Sequence, residues 1–127
     1  MDQVKQHTED RKTKILNNII DHYNTMEPFD IDNVSEFWID VPVVSEEIYN
    51  SVIIPNLIRC GAIPKNNLII GKEYLGHCRN SGKATWDGEK FIYQRYKFGS
   101  YFDEDIQHFE DGSNNGYDVF VPLKLNN

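Results

Sequence analysis

Between residues 72 and 99 the chain sets six cations, Lys72, Arg79, Lys83, Lys90, Arg95 and Lys97, among seven rings: Tyr74, His77, Trp86, Phe91, Tyr93, Tyr96 and Phe98. Cations beside flat π-surfaces can hold a phosphate, a nucleobase or an acidic protein surface. The same mixture also suits an ordinary sheet, with aromatics on the buried face and lysines keeping the other face soluble. With Glu73, Asp87 and Glu89 the stretch carries a local balance of +3, whereas the rest of the chain carries −10 and the whole −7. It is a basic and aromatic island in an acidic protein.

Two constellations within the island bear on chemistry. Strand alternation places Ala84, Trp86, Phe91, Tyr93, Arg95 and Lys97 on one face, and Ile92, Gln94, Tyr96 and Phe98 on the other. The first face is apolar near the turn at Asp87-Gly88 and basic at its far end. It reads either as a ligand groove with an aromatic floor and cationic hooks, or as core whose arginine and lysine snorkel to the rim. The segment Gly76-His77-Cys78-Arg79-Asn80 offers an imidazole, a thiol, a guanidinium and an amide after a glycine. His77 and Cys78 are adjacent, so on a strand they face opposite ways and do not share a metal. Arg79 can fork onto a carboxylate or phosphate while Asn80 reads an amide or base edge. A carboxylate partner for Arg79 and a turn-capping role for Asn80 explain the same pair without a ligand.

From these residues we expect one basic-aromatic site. Trp86 or Tyr93 stacks on a flat group, Arg79, Arg95 and Lys97 hold negative charge, and His77 or Asn80 donates to an edge. A second expectation rests on the acidic stretch that follows, with Asp103, Glu104, Asp105, Glu110 and Asp111. It lacks EF-hand register and reads as a solvated loop over residues 100–116, a flap over the basic hairpin, or a mimic of phosphate for a basic target. The chain contains no P-loop, dinucleotide fingerprint, HExxH or GxSxG. A hydrolase built on His77, His108 and nearby carboxylates is the remaining alternative. No cofactor motif and no metal-ligand spacing is present.

These residues need a scaffold. At 127 residues the chain is expected to form a single α+β domain over 28–127, preceded by a helix in 1–27. Ile15, Leu16, Ile19, Ile20, Tyr23 and Met26 recur at helical spacing over residues 8–26, behind a first third with no apolar stripe that is expected to fray. Residues 36–44 alternate as an edge strand. A second helix begins at Ser45 as N-cap, carries Ile48, Val52, Leu57 and Ile58 as its stripe, kinks at Pro55 and ends at Gly61. Strands are expected over 68–78, 83–86, 91–98 and 117–123, with a type I′ turn at Asp87-Gly88. The architecture expected is an N-terminal amphipathic helix and a second helix packed on a small antiparallel sheet or half-open barrel.

Cys60 and Cys78 are too few for a disulfide framework, and residues 1–14 carry no secretory apolar run. Both read as free thiols in a cytoplasmic protein. No apolar run is long enough to span a bilayer, and the acidic balance argues against nonspecific DNA binding. The helix face of Ile15, Ile19 and Tyr23 can dock on the domain or pair with a second copy.

The runs Tyr74-Leu75-Gly76-His77-Cys78-Arg79-Asn80, Ala84-Thr85-Trp86-Asp87-Gly88, Phe91 to Gly99, His108-Phe109-Glu110-Asp111 and Tyr117 to Pro122 resemble small bacteriophage and prophage proteins to which no activity is assigned. The resemblance covers the C-terminal half. It implies a phage-encoded protein in a bacterial cytoplasm and, by analogy of class, one that binds and blocks a host protein or sequesters a host signal. The expected function is therefore that of a non-enzymatic binding protein, for a nucleotide-like ligand or an acidic partner surface at the basic-aromatic site. The alternative is an acidic inhibitor of a host nucleic-acid-binding protein, acting through Asp103, Glu104, Asp105, Glu110 and Asp111.

Overall fold

Helix α1 spans Asp2–Thr25 in a computed structural model that describes residues 2–36, 41–78, 81–112 and 119–127, with side chains from residue 10 onward except at 35 and 36. Its apolar spacing puts Leu16, Ile19, Tyr23 and Met26 onto the core, while Ile15 stays exposed. The chain then makes a 3₁₀ turn over Ile31–Glu36 and runs irregularly over 41–45. The edge strand expected over 36–44 is absent from its described part, and 37–40, with Trp38, lie outside the described residues. The valines at 41 and 44 turn instead toward the helical core.

The second helix begins as the sequence predicts. Ser45 accepts from the Ile48 N–H at 3.3 Å, and Glu46 and Glu47 occupy the first turn, where the helix dipole favours anions. It proceeds through α2 (Glu46–Ile48), a π-helical turn (Tyr49–Ile53) and α3 (Ile54–Arg59). Pro55 explains the π turn. It brings no N–H, and its ring would meet the carbonyl four residues back in a regular helix, so the chain widens by one residue before it. The buried stripe is correspondingly Tyr49, Ile53, Asn56, Leu57 and Cys60, with Ile48, Val52 and Ile58 only partly covered. Gly61 ends the helix at φ +123°. Its N–H bonds the Ile58 carbonyl at 3.1 Å and that of Ala62 bonds Leu57 at 2.9 Å, the paired closure that favours glycine.

Arg59 joins the helices. Its guanidinium donates to the Tyr23 and Met26 carbonyls at 3.3 and 3.0 Å, capping the C-terminal end of α1, and to Asn56, which in turn donates to Asn24 at 2.9 Å.

Five strands follow: β1 (Glu73–His77), β2 (Lys83–Trp86), β3 (Phe91–Lys97), β4 (Ser100–His108) and β5 (Val119–Leu125). They close into a small barrel in the order β1-β2-β3-β4-β5, so the protein is α+β with a closed rather than half-open sheet. All pairings are antiparallel except β4 with β5, which meet in parallel at Gln107 and His108. Residues 100–108 are therefore strand and not the expected loop. Pairing with β3 along its whole length overrides the low strand propensity of Asp103, Glu104 and Asp105.

Two apolar clusters share β5. Tyr74, Cys78, Ala84, Trp86, Phe91, Tyr93, Ile106 and Phe120 fill the barrel. Val119, Val121 and Leu123, on the other face of β5, pack with Tyr49, Ile53 and Leu57 of the second helix and with Tyr23 of α1. A strand buried on both faces is why residues 119–123 read as a nearly continuous apolar run. At Gly76, where β1 shifts register against β5, an added Cβ would sit 2.1 Å from the Val121 carbonyl oxygen, so only glycine fits.

Candidate binding surface

The β3–β4 hairpin carries half of the binding residues singled out by the sequence, Tyr93, Arg95, Lys97, Asp103, Glu104 and Asp105, and its alternation is as predicted. Its geometry sorts them differently from a single site. Phe91 and Tyr93 point into the barrel together with Trp86, and all three are buried. Trp86 packs on Phe91 at 4.9 Å between centroids and lies under the Lys65 ammonium at 6.0 Å. Tyr93 donates its hydroxyl to a Glu104 carboxylate oxygen, and Arg95 Nη1 bonds both oxygens of the same carboxylate at 3.2 and 3.3 Å. These two donors, Tyr93 foremost, hold the Glu104 carboxyl below its ordinary range. Arg95 is thus engaged inside the chain, and the Trp86 and Tyr93 rings belong to the core.

His77 lies on the opposite face of β1 from Cys78, as alternation requires. It is buried beside Phe29 at 6.2 Å, and desolvation lowers its pKa below 6.5. Its Nε2 has no hydrogen-bond partner among the described residues. Cys78 is buried in the barrel, and its thiol donates to the Ser81 carbonyl at 3.0 Å. Arg79 and Asn80 lie outside the described residues. Of the predicted site, Lys97 alone is well exposed among the described residues, with its ammonium 5.4 Å from the Phe98 ring.

The acidic set is also largely engaged. Lys65 binds both carboxylates of a further 3₁₀ turn, Phe109–Asp111, its backbone N–H donating to Glu110 and its ammonium pairing with Asp111 at 2.8 Å. Asp105 lies 3.7 Å from Lys90. Asp103 faces solvent on β4 with no ion-pair partner among the described residues.

His108 is completely buried and has both nitrogens occupied. Nε2 donates to the Ile63 carbonyl at 2.9 Å, and Nδ1 accepts from the Glu110 N–H at 3.1 Å. That arrangement fixes the neutral ring, and desolvation lowers its pKa. It ties β4 to residues 63–65 and does not face solvent as a general base would.

Alternation had already set Tyr96 and Phe98 away from the core face. The structure adds Tyr101 and Phe102 from β4, which the loop reading of 100–116 hid. Tyr96, Phe98, Tyr101 and Phe102 are 62, 93, 71 and 39 % exposed, all within three residues of one turn. The turn is Phe98-Gly99, between paired Lys97 and Ser100, with φ of +54° and +82°. Positive φ at both central residues makes it the I′ turn that suits hairpin twist. Asn or Asp is the usual residue at its first position; a bulky aromatic there is strained. The Asp87–Lys90 connection, where I′ geometry was expected at Asp87-Gly88, instead turns about Gly88 and Glu89. Asp87 accepts from the Glu89 and Lys90 N–H groups, both at 2.7 Å, which also lowers its pKa.

On the outer face of the sheet three cross-strand rungs follow one another: Ile92 with Asp105, Gln94 with Asp103, and Tyr96 with Tyr101. The tyrosine rings lie 5.0 Å apart at 56°. Beside the first two rungs an open groove of about 410 Å³ runs to Glu73, Lys83 and Thr85 on β1 and β2. Among the described residues no group of three His, Cys, Asp or Glu is gathered for a metal ion, and no helix is long and apolar enough to cross a membrane.

Comparison of the chain with family models, with curated proteins and with solved structures finds no match to any of the three.

Proposed function

We propose that the chain is a non-enzymatic binding protein that engages a protein partner through the far end of the β3–β4 hairpin. The observation that carries this reading is the group of four exposed aromatics around a turn where Phe98 takes a left-handed conformation. Aromatics are enriched where protein surfaces meet, because they bury large area for little lost side-chain freedom. A strained and almost fully exposed phenylalanine gains nothing visible for the isolated chain, and strain of this kind concentrates at functional positions. Burial of Trp86 and Tyr93 in the barrel moves the reading from a nucleotide-like ligand toward a macromolecular surface. If the chain acts in a bacterial cytoplasm, as its resemblance to phage proteins implies, the partner is a host protein.

The test places a photoreactive benzoylphenylalanine at position 98, or at position 89 in the opposite turn, and irradiates the protein in a bacterial lysate. A discrete crosslinked species from position 98 is expected, absent from position 89 and lost when Tyr96 and Tyr101 are changed to Ser. Equal crosslinking from both turns, or none from position 98, overturns the proposal.

A further inference from the structure

Resting on the hairpin as the binding element, we infer that its outer face receives a guanidinium group, an arginine side chain of the partner, between the Tyr96–Tyr101 pair and the carboxylate of Asp103. Three observations converge there. The two rings pack on each other at 56° with centroids 5.0 Å apart, and both residues stay largely exposed, which leaves ring surface for a cation. Asp103 stands on the adjacent rung of the same face, exposed, with no ion-pair partner among the described residues. Gln94 opposes Asp103 and supplies a neutral amide oxygen on that rung. A planar guanidinium can lie over a ring and fork onto a carboxylate at once, which an ammonium cannot.

The surroundings select the same class of occupant. The chain carries a net −7, so an acidic partner is repelled at long range and a basic one attracted. Lys97 alternates onto the other face of β3, away from the tyrosine pair, and Lys90 is held near Asp105. Lys83 lies on the far wall of the groove, on β2 opposite Leu75, and the same wall carries the carboxylate Glu73, opposite Thr85. The groove between that wall and Ile92 gives room for the main chain that carries the arginine. A second copy of this chain carries the same net −7, which disfavours self-association there.

The test is an amide-resolved NMR titration of the ¹⁵N-labelled protein with Nα-acetyl-arginine amide, with the citrulline analogue as neutral isostere. Saturable shifts at Gln94, Tyr96, Tyr101 and Asp103 are expected with the arginine compound and not with citrulline. Asp103→Asn should weaken the response about tenfold, and Tyr101→Ala about fivefold, with the remaining spectrum unchanged. Equal shifts with citrulline, shifts mapping elsewhere, or an unaltered response in Asp103→Asn overturn the inference. A hairpin that crosslinks a partner yet ignores arginine overturns the guanidinium assignment alone. One that does neither overturns the binding reading beneath it.

Discussion

The two ends of the β3–β4 ribbon share one ladder of hydrogen bonds and differ in almost everything else. At the root, Phe91 pairs with Ile106, and both are buried against Trp86 and Phe120. At the tip, Tyr96 pairs with Tyr101, and both are exposed. The difference follows from the neighbouring strands. β2 pairs with β3 only at Phe91 and Ile92, and β5 pairs with β4 only at Gln107 and His108. Over the rungs from Tyr93 to Lys97, β3 and β4 pair only with each other among the described residues. Aromatic residues are thus used twice in one hairpin, once to fill a barrel and once to project from it. Burial explains the first use, and it leaves the second without a structural reason.

The root should break easily. Gly76 lies at the register shift between β1 and β5, and the Val121 carbonyl oxygen that an added methyl would meet is main chain, which cannot swing aside as a side chain can. Gly76→Ala is therefore expected to cost about 3 kcal/mol or more, the upper end of overpacking effects. A denaturant titration would show it as a lower midpoint with an unchanged slope. A loss below about 1 kcal/mol would mean that the barrel closes more loosely at this seam than its core suggests.

The root should also be acid-sensitive where the tip is not. His77 and His108 are both buried, and desolvation lowers the pKa of each below 6.5. The unfolded chain then takes up protons before the folded one. Stability is full above the ordinary histidine pKa and is lost as pH falls through 6.5 toward the folded values. Glu104 and Asp87, whose pKa values are lowered from the carboxylate range, act only at lower pH, so the window between about 7.5 and 5.5 isolates the histidines. Unfolding midpoints should drop across that window, and His77→Leu, which removes the ring whose Nε2 lacks a partner, should shrink the drop. A pH-independent midpoint would mean that both rings gain compensating contacts when protonated.

How far the sequence could carry this contrast depends on the element. Alternation in β3 separated Tyr93 from Tyr96 correctly, and the Ser45 and Gly61 caps marked both ends of the second helix. Alternation alone could not say which face closes a barrel, because that is decided by the return of β5 beside β1. So Trp86 and Tyr93 looked as available for stacking as the residues that are in fact exposed. β4 was illegible for a related reason. The barrel side of β4 carries Glu104, Ile106 and His108, and its carboxylate is held there by hydrogen bonds from Tyr93 and Arg95. Three consecutive acidic residues therefore read as loop until the pairing is known.

The smallest expected effect separates the two uses of aromatics most directly. Phe98 occupies the first central position of the turn at φ +54°, followed by Gly99 at +82°, and its ring is 93 % exposed. Asn accepts that conformation and would create the Asn-Gly pair that this turn favours. Losing the ring forfeits its contact with Lys97, 5.4 Å from the ammonium, an exposed interaction of small worth. Phe98→Asn should therefore stabilise the chain by about 1 kcal/mol, a rise in melting temperature of roughly 4 °C. A core aromatic behaves oppositely, since truncation there costs about 3–5 kcal/mol. If Phe98→Asn is neutral or destabilising, the ring supports the fold in a way its exposure hides, and the contrast between root and tip weakens. If the variant is more stable and loses the partner captured from position 98, stability has been given up at this turn for binding.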